Sequence, residues 1–185
     1  MSRLVVIDMQ EVFTEGPWVV PRFAEVTAPI RRLVTAFGPR VTCTRFVAPE
    51  KPAGAWRRYY ERWPFALQPP DSPIYRLIPG LTSAPTVDAT TFSKWTPELA
   101  TLVGDGPLVL AGVTTDCCVL STAVAAADAG VEVLVVADAC AGVTDESHEQ
   151  ALAVLRLYGP LVTVTSLDAA LEIGETSTKH LSRET

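Results

Sequence analysis

The stretch PLVLAGVTTDCCVLSTAVAAADAGVEVLVVADA, residues 107–139, decides the fold. It opens on an unbroken apolar run, PLVLAGV (107–113), and closes on another, VEVLVVADA (131–139). Continuous rather than alternating apolar strands are buried on both faces, as in a parallel sheet covered by helices. The small-residue segment between them, ending at Gly130, is long enough to be the crossover helix, and such connections are right-handed. Thr115 or Asp116 reads as its cap, which puts Cys117 and Cys118 in the first turn.

The same alternation extends in both directions. RLVVID (3–8), RVTCTRF (40–46), APTVDA (84–89) and LVTVTSL (161–167) read as further strands, making six. Between them, residues 23–38 place Val26, Ile30, Leu33, Val34 and Phe37 on one helical face before Gly38-Pro39 stops the helix. TPELATLVG (96–104) has a Thr cap, a first-turn Pro and a Gly stop. DESHEQALAVLRLYG (145–159) reads as a helix capped by Asp145, and a short helix starts at Asp168. AGAWRRYYERW forms a short helix inside an irregular, aromatic-rich insert, 49–84. The chain is therefore predicted to be a single doubly wound, Rossmann-like α/β domain over 1–175. Its six-stranded parallel sheet has helices on both faces, and a polar tail, 176–185, follows.

Composition narrows the function classes. The 185 residues carry a net charge of −6 and no concentrated basic surface, so nucleic acid is not an expected partner. No apolar run reaches the roughly 18–20 residues of a membrane span. The first residues enter a strand directly, without a charged leader ahead of an apolar segment. Four cysteines without a CxxC pair suggest reduced thiols and a cytoplasmic location. Two histidines, His148 and His180, are too few for a histidine-rich metal centre. No metal or other cofactor is expected.

In a doubly wound sheet, ligands sit beyond the carboxyl ends of the strands. Asp8, Asp88, Asp138 and the turn Thr114–Cys118 fall there. A thiol at a helix start meets unpaired amides and the positive end of the macrodipole, which favours thiolate. The same amides can hold an oxyanion. Asp8 could accept the thiol proton and hand it to a leaving amine. Cys43 and Cys140 lie within or at the ends of strands and read as core. A rival reading makes Asp8, Asp88 and Asp138 a magnesium cluster for phosphoryl chemistry. It lacks a second acid two residues after Asp8 and a glycine-rich phosphate loop.

VVIDMQEVF (5–13) and GVTTDCCVLSTAVAAADAGVEVLVVADAC (112–140) together resemble the isochorismatase-like cysteine hydrolases, in order and over most of the chain. The resemblance implies that Cys118, registered by Val119 and Thr122-Ala123, is the nucleophile, and that Asp8 shuttles the proton. It implies a non-proline cis peptide between Val113 and Thr114, aiming amides of Thr114 and Cys118 at an oxyanion. Hydrolysis of a C–N bond in a small amide, through a Cys thioester, is the activity it implies.

Two departures stand out. The family's triad lysine precedes a pattern like Tyr-Ser-Ala-Phe, and ATTFSKW (89–95) aligns Ala89 with that lysine. An ammonium there would stabilise the acid and the thiolate. Without it, Lys94 reaches back, the enzyme works with a weaker dyad or a substrate-supplied cation, or the chain is a weakly active or non-catalytic binder. Lys94 itself reads as a solvated charge on the next helix. The nicotinamidase branch uses an aspartate and histidines after strand two, whereas CTRFVAPEKPAGAW holds no histidine. The branch that cleaves the vinyl ether of isochorismate often lacks the cysteine, so Cys118 argues against it.

Trp56, Tyr60 and Trp63 of the insert, interleaved with Arg57, Arg58 and Arg62, form a candidate substrate lid or a subunit interface. Gln10 and Phe13, just past Asp8, are further candidate substrate contacts. A small-molecule substrate and a homo-oligomer, dimer or tetramer, are the expected partners.

Overall fold

The computed structural model describes residues 1–181. The six apolar runs become β1 (Arg3–Ile7), β2 (Val41–Phe46), β3 (Thr86–Ala89), β4 (Leu108–Val113), β5 (Val133–Ala141) and β6 (Val162–Thr165). All pairs are parallel, in the order β3-β2-β1-β4-β5-β6. Chain order reverses between β1 and β4, and the crevice beyond their ends is where such a sheet binds ligands. The most central strands are the most apolar: all six residues of β4 are buried, as are Leu4–Ile7 of β1. Burying each such valine or leucine contributes roughly 1.5–3 kcal/mol.

Helices cover both faces. On one face α1 (Phe23–Phe37) and α6 (Leu167–Leu181) pack together. Ile30 and Leu33 of α1 and Ala170 of α6 share a core with Leu4 and Val6. The two helices touch through Gly174, where a Cβ would stand 2.8 Å from the Phe37 ring. On the other face lie α3 (Pro97–Val103), α4 (Leu120–Asp128) and α5 (Asp145–Arg156). There Leu99, Ala123, Ala126 and Leu152 pack on Val5, Ile7 and Leu110. The insert contributes α2 (Trp56–Arg62) and a small core of its own around Tyr60 and Tyr75. Among the described residues, no helix is long and apolar enough to cross a membrane.

Three expectations are corrected at element ends. Thr144, not Asp145, caps α5: its hydroxyl accepts from the Ser147 amide at 3.0 Å while Ser147 Oγ accepts from the Thr144 amide at 3.1 Å. This reciprocal pair satisfies two free amides at once, which a lone Asp145 cannot do. The last helix is not short, because it continues to Leu181 through the first part of the proposed polar tail. Residues 182–185 of that tail lie outside the described residues. The third correction concerns the cysteine turn.

Candidate active site

β1 delivers Asp8 to the switch point in the left-handed region, φ +48°. Aspartate tolerates that region better than most side chains. Its carboxylate is fully buried, with Oδ1 hydrogen-bonded and Oδ2 ion-paired. Thr44 Oγ1 donates to Oδ1 at 2.6 Å, and the Asp8 amide donates back to Thr44 Oγ1 at 3.2 Å. Lys94 Nζ stands 3.0 Å from Oδ2, with neither side chain exposed. The ammonium also donates to the Thr91 carbonyl at 2.8 Å and sits 4.6 Å from the centre of the Phe46 ring.

The expected vacancy at Ala89 is thereby corrected. Ala89 is the last residue of β3, buried, with its carbonyl taken by the Val47 amide. Lys94 is not a solvated charge on the next helix, because α3 starts three residues later, at Pro97. The loop 90–96 curls so that Lys94 points back under the end of β1. One hydroxyl anchors this curl: Thr122 Oγ1 accepts from the Lys94 amide at 2.8 Å and donates to the Cys118 carbonyl at 2.6 Å. Alignment at fixed spacing missed the lysine. The available signal was that Lys94 is the only Lys or Arg between Arg76 and Arg156, set between Phe92 and Trp95.

On the other side of the switch, β4 ends in Gly112, the Val113–Thr114 peptide is cis, and Thr114 leads into a π-helical turn. Gly112 has φ +122°, and a Cβ there would lie 2.1 Å from the Ile7 carbonyl oxygen, so only glycine lets β4 pass β1 here. The turn spans Thr115–Val119 and continues as α4. It is not the ordinary first turn expected, and its cap is Thr114 rather than Thr115 or Asp116. Asp116 instead accepts the Val143 amide through both oxygens, at 3.3 and 3.4 Å, tying in the loop after β5. Thr115 Oγ1 meets His148 Nδ1 at 2.8 Å. π-Turns of this kind occur disproportionately at functional sites.

Cys118 is 4% exposed, and Cys117 is more open. Both line one cavity of about 330 Å³. Thr114, Phe13, Trp18, Phe46, Tyr59, Trp63, Phe92 and Val143 are among its other walls. The thiols interact. A hydrogen bond from Cys118 draws the Cys117 thiol down, while the same bond, then burial and the Asp8 charge push the Cys118 thiol up against the pull of Lys94. The expectation that a helix terminus alone makes a Cys118 thiolate cheaply is thus corrected. The neighbouring thiol, burial and the Asp8 charge favour the neutral form of Cys118. Burial likewise pushes Cys43 and Cys140 up to about 12, consistent with core thiols.

Of the expected substrate contacts, Phe13 and Trp63 reach the cavity and three residues do not. Gln10 is a buried clamp: its amide donates to the Phe46 and Tyr75 carbonyls and accepts from the Phe46 amide. Trp56 stands behind the wall against Phe46, Tyr59 and Phe92, and Tyr60 belongs to the insert's core. Val113 is buried in β4, and only Thr114 of that pair faces the cavity. Trp18, Phe46, Tyr59 and Phe92 also line the cavity; of these only Tyr59 lies in the aromatic-rich insert, and no local pattern marks the other three. The acids of the rival magnesium cluster are drawn apart. Asp88 is paired with Arg45 at 2.7 Å, and Asp138 accepts the Leu167 amide at 2.8 Å.

With this geometry in view, comparisons place the chain. The isochorismatase domain family model matches residues 2–168. A cysteine hydrolase from Pseudomonas syringae pv. phaseolicola 1448A superposes with a TM-score of 0.81 at 20% identity, over 95% of this chain and 92% of that one. An isochorismatase family protein from Desulfovibrio vulgaris gives 0.78 at 24% identity, over 93% and 97%. N-carbamoylsarcosine amidase from Thermoplasma acidophilum gives 0.72 at 21% identity, over 90% and 96%. At these identities the likeness is one of fold. Comparison with curated proteins finds no match.

Proposed function

From the premise that this chain belongs to the isochorismatase family, we propose that it is a cysteine hydrolase cleaving the C–N bond of a small amide. The observation that carries this reading is the buried Lys94–Asp8 pair, both of whose charges act on Cys118, a residue of the cavity wall. A carboxylate held by an ammonium and a hydroxyl is positioned for proton transfer rather than free to wander.

In the first half-reaction Asp8 takes the Cys118 proton and the sulfur attacks the amide carbon. Amides of Thr114 and Cys118, both residues at the cavity wall, hold the oxyanion. Asp8 then gives its proton to the leaving nitrogen, the C–N bond breaks, and an acyl thioester remains on Cys118. In the second half, water loses a proton to Asp8 and attacks the thioester carbon. The carboxylic acid leaves and the Cys118 thiol regains its proton. Lys94 keeps the anionic state of Asp8 tolerable in a buried site.

The reading of the chain as a weakly active or non-catalytic binder depended on a missing cation, and Lys94 supplies one. The test is to incubate the protein with small primary amides, follow ammonia, and quench for intact mass. A covalent acyl adduct on Cys118, lost in Cys118→Ser together with turnover, supports the proposal. Turnover retained by Cys118→Ser overturns it.

A further inference from the structure

The cavity at Cys118 has a chemical character that the reaction alone does not dictate. Among its lining residues none is charged; Thr114, the Tyr59 hydroxyl, the Trp18 and Trp63 indoles and the two thiols are its polar side chains. One wall is a continuous aromatic surface. Trp18 lies 6.2 Å from Phe13, 5.8 Å from Phe46, 5.9 Å from Tyr59 and 6.2 Å from Trp63, centre to centre. The nucleophile turn, with Thr114, Cys117 and Cys118, lines the same cavity.

No cation of the insert or of the loop after β3 lines the cavity. Lys94 is buried on Asp8. Arg57, Arg58 and Arg62 of the insert, which the sequence places among the aromatics, are exposed and do not line the cavity. Arg62 lies over the Trp63 ring at 5.2 Å. A carboxylate carried by a substrate would thus lose its water against aromatic faces, whose electron-rich surface repels anions, with no partner charge.

We propose that the substrate is a neutral amide with an apolar acyl group, alkyl or aryl, and that amides bearing a carboxylate are rejected. This rests on the amide-hydrolase reading of the same site. The acyl group lies between the Trp18–Tyr59–Trp63 wall and Cys118, and these aromatic side chains set specificity. The cavity of about 330 Å³ lies at the small end for ligand sites, which limits the acyl group to a short chain or a single ring.

A length-matched series tests this: hexanamide, adipamic acid and 6-aminohexanamide. Two readouts are taken, ammonia release and protection of the Cys117–Cys118 pair from iodoacetamide. The expected result is protection by hexanamide at concentrations at least about 100-fold below those needed for adipamic acid, with kcat/KM in the same order. Trp63→Ala is expected to raise KM for hexanamide more than it lowers kcat. Equal or better protection by adipamic acid overturns the proposal, and its loss in Arg62→Ala would show that Arg62 reads the carboxylate. Better protection by 6-aminohexanamide overturns it too, since the rings would then be reading a cation. Protection by none of the three also overturns it. If hexanamide protects but is never hydrolysed, the neutral apolar pocket stands and the hydrolase reading fails. If adipamic acid is the better hydrolysed substrate, the hydrolase reading stands and the pocket proposal fails.

Discussion

The ammonium of Lys94 lies 3.0 Å from the Asp8 carboxylate, and neither side chain reaches solvent. The loop after β3 and the end of β1 are thereby joined under the cavity floor. Removing one partner leaves the other as an uncompensated buried charge, which is costlier than losing the pair.

Lys94→Met is therefore expected to destabilise the fold by about 3–5 kcal/mol and to lower kcat by at least about 100-fold, on the scale of a lost acid–base partner. Urea unfolding and steady-state kinetics check both. Ala89→Lys is expected to bring no gain, because the site already holds its cation and residue 89 is buried at the end of β3. Higher activity in Ala89→Lys would show that Lys94 is not the functional cation.

The two thiols should titrate as a pair. The hydrogen bond from Cys118 draws the Cys117 thiol down, so Cys117 is expected to be alkylated first near neutral pH. In Cys118→Ala that donor is gone, and the alkylation profile of Cys117 should move to higher pH. Turnover should nevertheless depend on Cys118: Cys118→Ser removes it, whereas Cys117→Ser keeps the nucleophile, changes its neighbour in the cavity wall, and should cost about tenfold or less, on the scale of small pocket changes. Peptide mapping after pH-jump alkylation, with kinetics of both variants, measures this.

Thr122 bridges the two halves of the site, accepting from Lys94 and donating to Cys118 through one oxygen. Thr122→Val keeps the shape and deletes both bonds. The buried Lys94 amide is left short of a partner, at about 1–3 kcal/mol, while the Cys118 carbonyl keeps the Ser121 hydroxyl at 3.4 Å. Small misplacement of reacting groups can cost about 100-fold in rate. The expected signature is a fall in kcat with KM little changed, and partial rescue in Thr122→Ser. A purely structural role would lower stability without that kinetic split.

His148 makes a pH prediction. Burial holds its imidazole below the ordinary range, and Nδ1 meets Thr115 in the nucleophile turn. Its folded pKa is thus lower than its unfolded value, near 6.5, and the unfolded chain binds the extra proton in between. Stability is expected to be full above about pH 6.5 and to fall as pH drops toward the depressed folded value. Thermal unfolding of the parent and of His148→Asn at pH 7.5 and 5.5 checks this; the variant should show the smaller loss.

Much of this was legible in the chain itself. Apolar runs such as LVVI and LVLAGV are too continuous for any strand but one buried on both faces, which determined a parallel, doubly wound sheet. With the sheet came the line along which its ligands bind, and hence Asp8 and the Cys117–Cys118 turn. Local spacing carries these features because strand and crossover helix are local structures.

What the tertiary structure alone decided is which distant side chains meet. Lys94 was misread because the path of an irregular loop, not its length, determines where a long side chain ends. Gln10, Trp56 and Tyr60 looked like cavity residues by type and position, yet hydrogen bonds to Phe46 and Tyr75 and ring packing within the insert turned them inward. The state of the Cys118 thiol was also beyond sequence. A helix terminus favours the anion, but burial, the neighbouring thiol and Asp8 oppose it, and their distances exist only once the chain has folded.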